Sequence, residues 1–360
     1  MNADFWKEKR VFLTGHTGFK GGWTVLCLQK LGAIVKGYSL EPNTTPSLFE
    51  IANISDGIES EFGDVGDLDR LKKSLFNFSP EIVIHMAAQP LVRLSYLNPV
   101  ETYQTNVMGT VNLFEAVRAC DSVIAVVNVT TDKCYENNEW VWGYREDEAM
   151  GGHDPYSSSK GCSELVTAAY RRSFFGDNSS VCLGSARAGN VIGGGDWSQD
   201  RLIPDALHAF GSNQPLVIRN PLATRPWQHV LEPISGYLML AESLYLNGKT
   251  YAEAWNFGPK DECVKPVGEV MDYFVSLWPG DVSWVLDSSD HPHEAELLKL
   301  DISKVKMRLK WKPTWDLNKT LLSIIEWHQS WLNDEDMRSV TLGQIDNYEN
   351  TLKEMNNGSD

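Results

Sequence analysis

Short runs of β-branched and apolar residues alternate with segments of helical periodicity from the start of the chain. Residues 10–14, 34–38 and 82–85 have the first character, and residues 22–31 and 67–76 the second. This repeated strand–helix–strand spacing predicts a parallel sheet, because parallel neighbours need a crossover between them. Residues 82–85 and 123–129 are apolar at successive rather than alternate positions. Strands of that kind bury both faces, so helices must cover the sheet on each side. The expected fold is α/β, with a doubly wound parallel sheet.

The rhythm breaks near residue 188 into turn-rich sequence containing GNVIGGGDW, IPD and RNPLATRPW, and helical spacing returns over residues 233–246. Residues 261–332 are rich in tryptophan and turn signals and read as a smaller capping lobe. The expected division is a sheet domain of residues 1–187 with about 224–260, and a loop-rich substrate domain of about 188–223 with 261–332. Residues 333–360 are polar, with DED and NNGSD, and are expected to form a weak helix followed by a frayed tail.

Composition narrows the class. A chain of 360 residues with 42% hydrophobic content can bury a large core. Its start, MNADFWKEKR, lacks the apolar run of a signal peptide, and no stretch approaches the ~20 apolar residues of a membrane helix. The reading is a cytoplasmic protein without a membrane partner. A formal net charge of -16 opposes nucleic-acid binding, which needs basic surfaces. The six cysteines are scattered without a C-x-x-C pair, so reduced thiols are expected rather than zinc or disulfides. His291, Pro292, His293 and Glu294 superficially suggest a metal site, but no third ligand is suitably spaced and none is expected.

The segment VFLTGHTGFKGGW places Gly15, Gly18 and Gly21 three residues apart, after a buried strand and at the start of a helix. Glycine permits a tight turn and close approach of the backbone to a pyrophosphate, whose charge sits at the positive helix end. The loop, including Thr17 and Phe19, therefore reads as the dinucleotide cradle of a Rossmann-type domain. The acidic ribose ligand usual about twenty positions on is missing, and Ser39 stands in its region. Ser39 carries no charge to repel a 2′-phosphate and no arginine stands there to attract one, so NAD is preferred to NADP. Asp64 and Val65, after the third strand, are placed for the adenine edge. Ala87 and Ala88, after the fourth, let the chain pass close to the nicotinamide-side ribose.

Tyr156 and Lys160 form Y-S-S-S-K, a spacing that puts both side chains on one helix face. A phenol titrates near ~10, so a tyrosine base needs a nearby cation; Lys160 and the cofactor's positive charge can supply it.

In the order TGHTGFKG, HMAAQ, TNVMGT, VTTDKCY, YSSSK and ARAGNVIGGGDW, the sequence resembles the extended short-chain dehydrogenase/reductase family over about residues 8–332. Within it, HMAAQPLVRLSY, DKCY, ENNEWVWGYRE, RPWQHVLEP and HPHEAELLKLD are similar to the nucleotide-sugar 4,6-dehydratases. The resemblance implies an NAD-dependent lyase feeding deoxysugar biosynthesis for O-antigen or lipopolysaccharide, and a homo-oligomer, dimer or tetramer, built through helices that include the Tyr156 helix. It implies that Tyr156 takes the proton of the sugar's 4-hydroxyl, with Thr131 hydrogen-bonding the same oxygen. Asp132 is then the acid for the departing 6-hydroxyl, and Lys133, where related dehydratases carry Glu, is either the base at carbon 5 or a charge partner of Asp132. Asn106 is implied near the cofactor, and the loop through Leu298 and Lys299 over the nucleotide end.

For the substrate's phosphates, arginine offers a planar fork of donors. Arg201, Arg219 and Arg225, with Asn190 and His229, form the expected cluster, and Gln89 and Arg93 lie just beyond the fourth strand. Competing readings are a nucleotide-sugar 4-epimerase, which shares Tyr156 and Lys160 but not the need for Asp132 and Lys133, and a non-catalytic dinucleotide sensor.

Overall fold

A computed structural model describes residues 1–289 and 297–357. Its centre is a seven-stranded sheet of β1 (Arg10–Thr14), β2 (Ile34–Ser39), β3 (Glu59–Phe62), β4 (Ile82–His85), β5 (Ala125–Val129), β6 (Cys182–Arg187) and β7 (Ala254–Asn256). The spatial order is β7-β6-β5-β4-β1-β2-β3, with every neighbouring pair parallel. The order reverses between β1 and β4, where Thr14 pairs with both Tyr38 and His85. A doubly wound sheet opens its ligand crevice at the carboxyl ends beside such a reversal.

The strands are apolar on both faces because each face meets its own helical layer. Val11, Leu13, Ile82, Ile84, Ala125 and Val127 pack into one core cluster, while the intervening Phe12, Val83 and Val126 pack into another. Period two along a strand thus separates two cores across one sheet.

A third cluster, with Ile203, Leu207, Phe210, Val270 and Phe274, organises the smaller lobe around helices Leu202–Gly211 and Val267–Leu277. Thr224–Pro226 pairs antiparallel with Val264–Pro266 of this lobe. The chain's return to the sheet therefore comes with helix Leu231–Asn247 and β7, a few residues later than position 224.

The C-terminal expectation is corrected. Met337–Asn357 is a 21-residue helix, and Met337, Thr341, Ile345 and Tyr348 are buried along one of its faces. The segment reads as polar because its helical stripe is narrow, yet that stripe is anchored by hydrogen bonds. Trp327 Nε1 donates to Thr341 Oγ1 at 3.0 Å, and Tyr348 Oη donates to Glu232 Oε2 at 2.9 Å. Among the described residues, no helix is long and apolar enough to cross a membrane.

Candidate active site

The glycine loop turns at Gly15, where φ is +80° and an added Cβ would lie 2.8 Å from the Ala87 nitrogen. Gly21 lies closer still to the loop, its absent Cβ 2.0 Å from the Gly15 oxygen. Helix Phe19–Lys30 starts at Gly18 with no side-chain cap. Above Gly18 a Cβ would meet only the Gly15 oxygen, at 3.5 Å. Uncapped first-turn N–H groups facing such a gap suit a pyrophosphate, and the residues fit a dinucleotide on that ground. Thr17 Oγ1 and Ser39 Oγ lie 2.8 Å apart beside the loop, and Asp64 Oδ1 accepts the Gly66 amide at 2.8 Å. Val65 is buried, and its carbonyl accepts from Asn112 Nδ2. Ala88 is partly buried after β4, and the Ala87 amide donates to Thr14 Oγ1.

Asn106 is 1% exposed and clamps two elements of the crevice. Its Oδ1 accepts the Gln89 amide at 2.8 Å, and its Nδ2 donates to the Gln89 carbonyl and to Ser159 Oγ at 2.8 Å. It sits on a one-turn π-helix, Gln104–Met108, a local widening that recurs at functional sites.

Helix Pro155–Ser173 begins with Asp154 accepting the Ser157 amide and with Pro155 in the first turn. Tyr156 and Lys160 follow one turn apart, both buried. Lys160 Nζ points to the Val129 carbonyl at the end of β5, at 3.5 Å. Burial draws the Lys160 amine down to about 8. It pushes the Tyr156 phenol up to about 12, opposed by the nearby Thr131 hydroxyl and by Arg201.

Beyond β5 the chain makes the short turn Asp132–Cys134, fixed by Thr131 Oγ1 accepting the Lys133 amide. Thr131 Oγ1 donates to Asp132 Oδ1 at 3.0 Å. Asp132 is 1% exposed, and burial raises its pKa against the pull of Lys133, Thr131 and Arg225. A carboxyl so placed is held toward its protonated form, the form a general acid needs.

A cavity of about 480 Å³ is lined by Thr131, Asp132, Lys133 and Tyr156 together with Asn190, Arg93, Arg201, Arg219 and Arg225. Arg201 bonds Asp196 at 2.9 Å, and Asp200 pairs with Arg93 at 3.2 Å and Arg219 at 3.7 Å. Three expected substrate contacts lie elsewhere. The Gln89 amide is used internally, donating to Thr102 Oγ1 on helix Pro99–Tyr103 and accepting from the Leu91 amide. His229 is fully buried between Trp23 and Trp315, where desolvation keeps its ring neutral. Leu298 is 4% exposed and belongs to the core. The segment with His291, Pro292, His293 and Glu294 lies outside the described residues.

Lys20 is a cavity residue that the sequence reading missed. Burial, with Arg201 and Lys160 nearby, draws its amine down to about 7. The available signal was a lysine among small and apolar residues at the start of the glycine-loop helix. Asp196 and Asp200, the arginines' partners, were also missed, because loop sequence carries no periodicity that pairs them.

The doubly wound sheet, the uncapped glycine loop and the paired Tyr156 and Lys160 define an extended short-chain dehydrogenase/reductase. More narrowly, the chain belongs to the family described as GDP-mannose 4,6 dehydratase, whose model matches residues 12–323. It is 57% identical to the CDP-glucose 4,6-dehydratase of Salmonella typhimurium, over 97% of this chain and 98% of that one. Among solved structures, the fold is similar to dTDP-glucose 4,6-dehydratase from Bacillus anthracis in complex with NAD, with TM-score 0.74, 20% identity, and 91% and 98% of the two chains covered. UDP-glucose 4-epimerase from Brucella ovis in complex with NAD is similar at TM-score 0.74 and 20% identity, covering 88% of this chain and 98% of that one.

Proposed function

We infer that the chain is an NAD-dependent hydro-lyase that converts CDP-glucose to CDP-4-dehydro-6-deoxyglucose. The observation that carries this reading is a buried acid, Asp132, hydrogen-bonded to Thr131 and lining one cavity with Tyr156 and four arginines. An epimerase needs Tyr156 but no second acid, so Asp132 favours elimination. Identity of 57% along almost the whole of a CDP-glucose 4,6-dehydratase supports the nucleotide.

NAD would be held by Gly15, Thr17, Gly18, Phe19 and Gly21, and would supply a hydride acceptor for carbon 4 and a hydride donor for carbon 6. Tyr156 takes the 4-hydroxyl proton, with Thr131 bonded to the same oxygen. The resulting ketone acidifies carbon 5, and Lys133, which lines the cavity beside Asp132, is placed to be either the base there or the charge partner of Asp132. Asp132 protonates the departing 6-hydroxyl. Arg225, Arg201, Arg219 and Arg93 hold the diphosphate, in forks suited to its oxygens.

The chain is also proposed to pair with a second copy. Leu97 and Val100 are each 77% exposed, and Leu165 is 59% exposed, on helices that pack together beside Tyr156. An apolar row of this kind suits a helical dimer interface. Sedimentation should give at least twice the 40.4 kDa chain mass.

The function is tested by incubating the protein with CDP-glucose and NAD and reading the base-induced ultraviolet absorbance of a 4-keto-6-deoxy sugar. Strong signal from another nucleotide-glucose and none from CDP-glucose would overturn the substrate. Formation of the galactose epimer without water loss would overturn the reaction.

A further inference from the structure

The sugar and the diphosphate do not account for the whole cavity. The reacting sugar takes Thr131, Asp132, Lys133 and Tyr156, and the diphosphate takes the arginines. The lining also includes Leu202, Pro204, Leu216, Val217 and Val267. Apolar side chains of this kind suit the faces of a flat ring rather than hydroxyls or phosphate oxygens. The base of the nucleotide is the part of the substrate left to fill them.

We propose that Asp205 reads this base as cytosine, accepting a hydrogen bond from its 4-amino group, and so sets a preference for cytidine over uridine nucleotides. The assignment rests on the nucleotide given under the proposed function.

Asp205 stands among these apolar residues by construction. It lies in the first turn of helix Leu202–Gly211, three residues after Leu202, and both side chains line the cavity. Residues three apart share a helix face. Ile203 and Leu207 of the same helix pack with Leu216 and Ile218 in one core cluster, which holds the helix against strand Leu216–Ile218. The Asp205 amide donates to the Arg201 carbonyl at 2.9 Å. One helical turn thus separates the carboxylate from an arginine of the diphosphate, about 5.4 Å along the axis, which a nucleoside diphosphate easily spans.

The other carboxylates of the cavity are already engaged. Asp132 accepts from Thr131, Asp196 pairs with Arg201, Asp200 pairs with Arg93 and Arg219, and Asp287 accepts from Ser289. Among the described residues, Asp205 makes no ion pair and bonds to no other side chain. A polar group left over in an otherwise apolar slot is the usual source of orientation and specificity for a ligand.

Cytosine presents a donor at its 4-amino group, whereas thymine and uracil present an acceptor, O4, at the same place. A carboxylate has acceptors only, so it bonds the amino group and opposes O4 lone pair to lone pair. Burial and the nearby Asp200 raise the Asp205 carboxyl to about 6, against the pull of Arg219 and His208. A carboxyl in that range takes up a proton readily. Its O–H then donates to cytosine N3 while its other oxygen accepts from the amino group.

Calorimetric titration with CDP and with UDP tests the assignment without requiring turnover. The wild type should bind CDP about 10- to 100-fold more tightly than UDP, the range for one hydrogen bond to a charged group. Asp205→Asn presents one donor and one acceptor, and a half-turn of its amide serves either base. The asparagine variant should therefore gain affinity for UDP, bringing the two nucleotides to within about three-fold of each other. Asp205→Ala offers neither group and should lose about 10- to 100-fold in CDP affinity with no matching loss for UDP. A wild-type preference for CDP that persists in both variants would overturn the assignment, as would a wild type that does not distinguish the two nucleotides. A CDP preference that both substitutions abolish, in a protein unable to dehydrate CDP-glucose, would uphold Asp205 as the reader and remove the functional reading alone.

Discussion

Gly189 lies directly against the carboxyl of Asp132: a Cβ at this glycine would stand 1.7 Å from Asp132 Oδ2 and 2.0 Å from its Cγ. The carboxyl can occupy its place under the cavity only because residue 189 has no side chain. Gly189→Ala is therefore expected to swing Asp132 out of line with Thr131 and to lower kcat by about 100-fold, the range for removing a positioned general acid. The KM for CDP-glucose should change little, because the arginines lining the cavity would still be there to hold the diphosphate. Circular dichroism checks the fold. Wild-type turnover in the alanine variant would show that Asp132 need not stay where the structure puts it.

Glu164 and Arg187 form a buried pair at 2.8 Å, each 4% exposed in its side chain, that ties β6 to the Tyr156 helix. Thr130 and Ser185 complete the carboxylate's bonds. Arg187→Met should leave Glu164 charged and uncompensated, at a cost of about 3–5 kcal/mol. The double variant Arg187→Met, Glu164→Gln removes the stranded charge and should recover a large share of that loss. Urea unfolding of the wild type, the single variants Arg187→Met and Glu164→Gln, and the double variant reads the coupling, and equal losses in Arg187→Met and the double variant would exclude it.

The parts of this molecule that the sequence makes legible are those governed by periodicity or by backbone conformation. Strands such as 82–85 and the loop at Gly15 are readable because burial on both faces and a φ of +80° each restrict which residues fit. Tyr156 and Lys160 are readable because helical spacing fixes their shared face. His229 and Leu298 resemble site residues in the linear sequence but face inward, a choice made by packing against Trp315 and the core that no local pattern encodes. Lys20 is the opposite case, since a surface residue type lines the cavity from the first turn of the glycine-loop helix. The C-terminal helix was underestimated because its few buried positions are spread thinly through polar sequence and take their meaning from Glu232 and Trp327.

Asp200 occupies two of the arginines intended for the diphosphate, Arg93 and Arg219. All three side chains are partly exposed, at 27% to 44%, so each pair contributes about 0.2–1 kcal/mol. A substrate diphosphate held as proposed would displace this carboxylate. Asp200→Asn is expected to lower the KM for CDP-glucose about two- to five-fold and leave kcat nearly unchanged. A raised KM would mean that Asp200 holds the arginines in place rather than competing for them.

Glu232 fastens the C-terminal helix from inside the protein. Its oxygens accept the amides of Thr314 and Trp315 and the hydroxyl of Tyr348. Burial outweighs these bonds and pushes its carboxyl from the usual 4.5 up to about 7. A carboxyl raised on folding favours the folded state in its protonated form. Its contribution is thus complete below about pH 4.5 and is lost as pH rises to about 7, a change on the order of 3 kcal/mol. Glu232→Gln is neutral at every pH and retains an acceptor for the two amides. The stability of the variant relative to wild type should therefore grow between pH 4.5 and 7 and stay level above it. Chemical unfolding at several pH values measures the difference directly, and parallel curves for the two proteins across this window would show that Glu232 is ionised throughout.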